Sequence, residues 1–269
     1  MARYQVILAY DGTEYKGYQR QANARSVQGE FELALTRLNW QGRAVLSAGR
    51  TDSGVHASGQ VVAFDLDWPH SCVELGQALN AYLPGDMAVQ GVRVTAADFH
   101  PRYDACARTY HYQVYCQRER HPLWERFAWR VWPEVQLTLL QQAAQLLIGR
   151  HDYSAFGTPP HSGNSTVREV FRAEWQEHEN GYRFKVTANA FLYHMVRRMV
   201  YLQVQVGQGR LALEALAQGV QAAFPLAPGL APAQGLTLIE VLYSENDDKQ
   251  MNDERNGEDD SGKDFRPER

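Results

Sequence analysis

Asp52 stands in the stretch Ala48-Gly49-Arg50-Thr51-Asp52-Ser53-Gly54-Val55-His56-Ala57, two residues after an arginine and two before a glycine. Asp and Ser bond readily to nearby backbone, and glycine reaches conformations closed to other residues, so the stretch reads as a tight loop between two strands. A carboxylate on such a loop can act as a nucleophile or a base. Without chemistry, the same residues would form an Asx-turn with an exposed ion pair. Burial would drive the carboxylate towards its neutral form unless a cation held it ionised. The adjacent Arg197 and Arg198, after Phe191, Met195 and Val196 on a helical segment, offer cations, although two neighbouring arginines also suit a solvated helix face. Tyr110 and Tyr112 alternate along a strand and share one face, with His111 on the other; a core aromatic pair would show the same pattern. His56, inside the loop, is read as holding its geometry.

The elements that must position these side chains follow from periodicity. Strands are expected at 3–10, 44–48, 59–66 and 87–95, with helices at Val27–Leu38, N-capped by Ser26, and at 72–82, stopped by Pro84-Gly85. The rest predicts strands at 107–117, 126–132, 167–177, 181–190 and 236–243, and helices at 137–148, 192–206 and 211–219. The two halves repeat a similar order. The fold class is therefore α+β: two pseudo-related halves whose antiparallel or mixed sheets join around a central cleft, with helices on the outer face. We divide the chain into an N-terminal half, 1–104, with the Asp52 loop, a C-terminal half, 105–243, and an acidic tail, 244–269, expected to be disordered. Gly157 to Ser165 reads as a polar flap or connector, and 225–232, Pro-Leu-Ala-Pro-Gly-Leu-Ala-Pro, as an extended linker.

Composition narrows the function classes. The 269 residues suit one large domain or two small ones, and no apolar run approaches membrane-spanning length. With no signal-peptide pattern at the start, a cytoplasmic location is expected. Cys72, Cys106 and Cys116 show no Cys-x-x-Cys spacing, which argues for reduced thiols and against a zinc site. The net charge of −4 hides an asymmetry: residues 244–269 carry ten acidic and five basic side chains, leaving residues 1–243 at +1. Of the 22 cations in that body, 20 are Arg, whose planar fork suits phosphates and bases.

Several segments, in order, resemble the TruA family of tRNA pseudouridine synthases. They are the Asp52 loop, Tyr10 to Gln21 (Tyr-Asp-Gly-Thr-Glu-Tyr-Lys-Gly-Tyr-Gln-Arg-Gln), Ala107-Arg108-Thr109-Tyr110-His111-Tyr112, and Asn189 to Arg198 (Asn-Ala-Phe-Leu-Tyr-His-Met-Val-Arg-Arg). Leu79 to Asp86 and Asp98-Phe99-His100 add to a similarity spanning roughly residues 3–243. The family pattern has Trp where this chain has Tyr18. The resemblance implies a pseudouridine synthase fold and an isomerase that breaks the C1′–N1 bond of uridine, turns the base and rejoins it through C5, with no cofactor and no metal. It implies Asp52 as the catalytic carboxylate, Arg197 as its cation, and Tyr110 as the ring that stacks on the target base and assists the C5 proton transfer. Arg198 is left for the surface or a phosphate. Arg50, Gln19, Arg20 and Gln21 become RNA contacts, the partner becomes tRNA in its anticodon arm at positions 38–40, and the assembly a homodimer. Whether Asp52 attacks C1′, attacks the base or removes a sugar proton stays open. A non-catalytic RNA-binding protein of RRM-like architecture is the main rival, but it would not need a carboxylate that repels phosphate. A metallo-hydrolase fares worse, since the nine histidines lack His-x-x-x-His spacing.

Overall fold

The computed structural model describes residues 1–159, 163–223 and 225–244; most of the acidic tail and the middle of the Gly157–Ser165 segment thus lie outside the described residues. The N-terminal half runs β1 (Ala2–Tyr10), α1 (Val27–Arg37), β2 (Leu46–Ser47), β3 (His56–Leu66), α2 (Cys72–Tyr82) and β4 (Met87–Thr95). The Ser26 hydroxyl caps α1 by accepting from the Gly29 N–H, a contact that typically stabilises a helix by about 1 kcal/mol. The C-terminal half runs β5 (Ala107–Tyr115), β6 (Trp129–Arg130), α3 (Leu137–Gln145), β7 (Gly149–Asp152), β8 (Val167–His178), β9 (Gly181–Ala188), α4 (Met195–Gly207), α5 (Leu213–Gln221) and, after a short 3-10 turn at Ala233–Gly235, β10 (Leu236–Leu242).

These strands form one mixed sheet in the order β4-β1-β3-β10-β5-β9-β8-β7, with β2 paired to β3 and β6 to β5. The N-terminal strands therefore lie as β4-β1-β3-β2 and the C-terminal ones as β10-β5-β9-β8, the same split βαβ order twice. The halves join where β10 runs parallel to the start of β3, Thr237 opposite His56 and Leu238 opposite Ala57. Leu236 belongs to the core under α3, α4 and α5. Leu238, two residues on and so on the same face of the sheet, belongs to the core under α1 and α2. The two cores thus lie side by side on one face, and Tyr110 of β5 packs against both.

Several expectations need correction, among them the strand expected at 126–132, which is only Trp129–Arg130. The strand at 44–48 shrinks to Leu46–Ser47. The helix expected from 192 starts at Met195, because His194 takes a left-handed conformation, φ 65°, and caps it. The helix expected to reach 148 ends at Gln145, and β7 follows unforeseen; its Gly-Arg-His-Asp sequence pairs with β8 through backbone alone, so no apolar alternation marked it.

Candidate active site

The Asp52 loop is shaped by hydrogen bonds from the Tyr10–Gln21 segment. The Tyr18 N–H donates to the Thr51 carbonyl at 3.0 Å, and the Gly54 N–H donates to Tyr15 O at 3.3 Å. The Ser53 hydroxyl donates to the same Tyr15 oxygen at 3.2 Å, and the hydroxyls of Tyr10 and Thr51 meet at 2.8 Å. Tyr10, Tyr15 and Tyr18 are all buried, so this segment serves first as a mould for the loop. Gly54 has φ 79°, the left-handed turn expected of it. Gly12 lies so close to the loop that a side chain there would sit 2.0 Å from the Val55 carbonyl oxygen.

His56 closes the arrangement from below. The Gly12 N–H donates to its Nδ1 at 3.0 Å, and its Nε2 lies 3.1 Å from the Gln234 carbonyl of the turn before β10. Burial lowers its pKa, with the Asp11 charge opposing, and Nε2 donates to that carbonyl, which can only accept. The Asp11 carboxylate lies 3.1 Å from Nδ1. His56 holds geometry, as expected, and links the two halves while doing so.

Across the join, α4 brings two side chains to Asp52. Arg197 Nη1 donates to Asp52 Oδ2 at 2.7 Å over 145 residues of chain, and His194 Nε2 lies 3.5 Å from the same oxygen. The side chains of Asp52 and Arg197 are 18% and 14% exposed, enough burial to strengthen their attraction while leaving the carboxylate reachable. Both partners come from the cap and first turn of α4, so the positive end of the helix also favours the anion. His194 has a lowered pKa, burial being the largest cause, with the Asp52 charge opposing it. Its place beside Asp52 was not anticipated. The available signal was its spacing of three from Arg197, one helical turn.

Arg197 is itself fixed, its Nε donating to the Ala231 carbonyl at 2.8 Å. Arg198, read as surface or phosphate contact, instead donates to the carbonyls of Gly229 at 2.7 Å and Leu226 at 3.0 Å. Its guanidinium is engaged by the 225–232 linker. The polar segment after Phe156 is tied to the same corner, the Tyr193 N–H donating to Thr158 O at 2.9 Å. A groove of about 430 Å³, lined by Phe156, Thr158, Tyr193, His194, Arg198 and Gly229 among others, opens at this edge.

Tyr110, on β5, sets its ring edge-on to Phe191 at 5.1 Å, and its hydroxyl has no hydrogen-bond partner among the described residues. Burial raises its pKa, with Tyr10 and the Asp52 charge adding to the push and Arg108 opposing it. Its neighbour on the same face, Tyr112, is fully buried and donates to Pro232 O at 2.7 Å, a core role. Arg50 is exposed and without a partner among the described residues. Gln19 is exposed too, whereas Arg20 pairs with the buried Glu32 carboxylate and Gln21 donates to the Lys16 carbonyl at 2.8 Å. No hydrogen bond or ion pair among the described residues links these three to Asp52, Tyr110 or Arg197. Nor, among the described residues, do three His, Cys, Asp or Glu side chains gather as a metal site needs, and no helix is long and apolar enough to cross a membrane.

The join between two like halves of one sheet thus carries a carboxylate held by a guanidinium and a tyrosine hydroxyl with no partner among the described residues, groups of the types that nucleophilic and proton-transfer chemistry uses. Residues 6–104 and 143–244 match the family model described as tRNA pseudouridine synthase, and the chain belongs to that family, whose members are isomerases. It is 39% identical over 248 residues to tRNA pseudouridine synthase A of Syntrophotalea carbinolica, covering 92% of this chain and 98% of the relative. The namesake of Syntrophomonas wolfei is 36% identical, covering 91% and 99%, and that of Geobacillus kaustophilus 38%, covering 90% and 95%.

Proposed function

We propose that this chain isomerises uridine to pseudouridine in the anticodon stem-loop of tRNA, at positions 38–40, acting in the cytoplasm as a homodimer. The target positions, compartment and assembly rest on the sequence resemblance to the family. The contact between Asp52 and Arg197 carries the reading of the site. A protein that only bound RNA would gain nothing from a carboxylate in its cleft, since it repels phosphate. The RRM-like rival is right about the strand order of each half and gives no reason for this pair. On the proposed reading the halves are 1–104 and 105–243, with the site at their join.

The target uridine leaves its stack and lies over Tyr110. Asp52, ionised beside Arg197, serves as the nucleophile or base that frees the base from C1′. The detached uracil turns and C5 bonds to C1′. The C5 proton then leaves and N1 ends protonated, so product and substrate are isomers and no electrons are exchanged. The raised pKa of Tyr110 means that its hydroxyl enters protonated; it orients the base by donating, and moves the C5 proton by passing its own onward. Arg50 meets the phosphate or the space the base has left, with Gln19, Arg20 and Gln21 on the approach.

Two variants test the assignment. Asp52→Asn keeps the shape and removes the nucleophile, so product formation falls by a factor on the order of 10⁴ or more while tRNA binding holds or tightens slightly. Tyr110→Phe keeps the stacking ring, so binding changes little while the rate falls about 10²-fold or more. Multiple turnover by the Asn variant, followed by pseudouridine mapping in tRNA, would remove Asp52 from its role. A parental rate for the Phe variant would leave Tyr110 with stacking alone.

A further inference from the structure

Beyond the site, the loop Phe99-His100-Pro101-Arg102-Tyr103-Asp104 presents an aromatic ring to solvent in an unusual way. Tyr103 is 76% exposed. Its ring lies against His100, centroids 4.2 Å apart, and the Arg102 guanidinium carbon lies 6.0 Å from the ring centre. An exposed tyrosine on a loose loop is ordinary, but this loop is fixed from several directions. The Tyr103 and Asp104 N–H groups donate to His100 O at 3.1 Å. The His100 N–H donates to the Asp104 carboxylate at 2.8 Å, and the Arg102 N–H to His100 Nδ1 at 3.1 Å. From the end of the sheet, the Tyr243 hydroxyl donates to Pro101 O at 2.9 Å, while Phe99 is buried against the Tyr243 ring.

One side chain joins this loop to the site. Arg108 donates to the Arg102 carbonyl at 2.7 Å, to Asn189 O at 2.8 Å and to Ala48 O at 3.3 Å. Ala48 opens the Asp52 loop, and Asn189 follows β9 on the way to α4. The exposed ring is thus held in register with both sides of the site, and Arg50, without a partner among the described residues, follows Ala48 by two residues. A pre-positioned aromatic plane with an arginine at its edge suits a nucleobase and its phosphate, because every base has a face to stack and stacking needs no particular sequence.

We infer that His100, Arg102 and Tyr103 form a stacking platform for an unpaired tRNA base other than the target uridine, with Arg102 meeting the adjoining phosphate. This rests on the proposed tRNA reading and adds a second point of grip to it. Two contacts at fixed separation would hold a flexible stem in position while the target base is displaced.

The test compares Tyr103→Ala, Tyr103→Phe and Arg102→Ala in the full chain, using unmodified tRNA transcript over a salt series. Tyr103→Ala is expected to raise Kd and KM about tenfold or more, with kcat at saturating tRNA unchanged and the salt slope preserved. Tyr103→Phe should bind like the parent. Arg102→Ala should weaken binding and lower the salt slope by about one phosphate contact. The exposure of Tyr103 means that its Ala variant should melt with the parent, which separates lost contact from lost fold. A parental Kd and KM for Tyr103→Ala, or a Phe variant as weak as Ala, overturns the platform. So does a change in sedimentation of the Ala variant, which would assign the ring to contact with a second copy. A parent that binds tRNA through Tyr103 yet forms no pseudouridine would instead defeat the reaction and leave the platform standing.

Discussion

Arg197 answers to two partners, the Asp52 carboxylate at 2.7 Å and the Ala231 carbonyl at 2.8 Å. That double duty explains why arginine is needed there: a lysine could meet one of them as a point charge, but not both from one planar fork. Arg197→Met would leave Asp52 partly buried beside no guanidinium. Truncating one member of a buried pair costs about 3–5 kcal/mol, and partial exposure of both groups reduces this to about 2–3 kcal/mol. The expected outcome is a lowered Tm together with a fall in kcat of about 10²-fold or more, read by thermal melting and single-turnover assays. Lysine should restore part of the rate and less of the stability. A methionine variant turning over at the parental rate would show that Asp52 needs no cation. At this scale the sequence was legible only in part. Residue type and local pattern drew attention to Asp52 and Tyr110 but read them equally as an Asx-turn and a core aromatic pair; the family resemblance gave them their expected roles. The meeting of Asp52 with Arg197 is a contact across 145 residues that no spacing rule reaches, and the family resemblance supplied it. His194 escaped notice because its spacing of three from Arg197 turns it towards Asp52 only through its own left-handed cap conformation, which the sequence does not announce.

Elements with strong apolar alternation or a capping residue were readable, as β1, β4, α1 and α2 show, because burial of one face dictates both their period and their limits. Elements held by backbone alone were not. β7 is the clear case, and the start of α4 is another, since nothing in Tyr193-His194 announces a left-handed residue. The Tyr10–Gln21 segment belongs between these cases: its motif pointed to RNA contact, yet the Tyr10 hydroxyl and the backbone of Gly12, Tyr15 and Tyr18 bond to the Asp52 loop. Gly12 gives the sharpest test of that role. An alanine there would bring its Cβ to 2.0 Å from Val55 O, and Val55 closes the turn by donating its N–H to Asp52 O at 3.2 Å. The loop would have to shift, so Gly12→Ala should lower stability by about 2 kcal/mol or more and reduce kcat more than it raises KM. Gly85→Ala is the matched control, because nothing lies within 4 Å of a Cβ there; it should melt and turn over like the parent. Equal behaviour of the two variants would deny the segment its part in shaping the loop.

The whole molecule is two copies of one strand order sewn into a single sheet, with the site at the seam. The seam is short in backbone pairs and reinforced by side chains: His56 reaches the Gln234 carbonyl, and Arg126 donates to the Asp11 carboxylate at 2.7 Å. A site assembled from both halves needs this stiffness, since a small displacement would part Asp52 from α4. Charge acts at the same scale. Residues 1–243 are close to neutral at +1, while residues 244–269 contribute −5 and bring the chain to −4. A tRNA approaching the body's arginines therefore also meets the field of the acidic segment, which competes with its phosphates and is screened by salt. Removal of residues 245–269 should tighten tRNA binding modestly at low salt, with the advantage fading as ionic strength rises and the Debye length falls below about 8 Å. The gain should come mostly through a faster on-rate, because long-range repulsion acts before contact, while kcat stays at the parental value. Stopped-flow binding of full-length and truncated protein across a salt series measures both. Weaker binding of the truncated chain at every salt concentration would mean that the acidic segment contacts RNA or supports assembly, and the repulsion account would have to be given up.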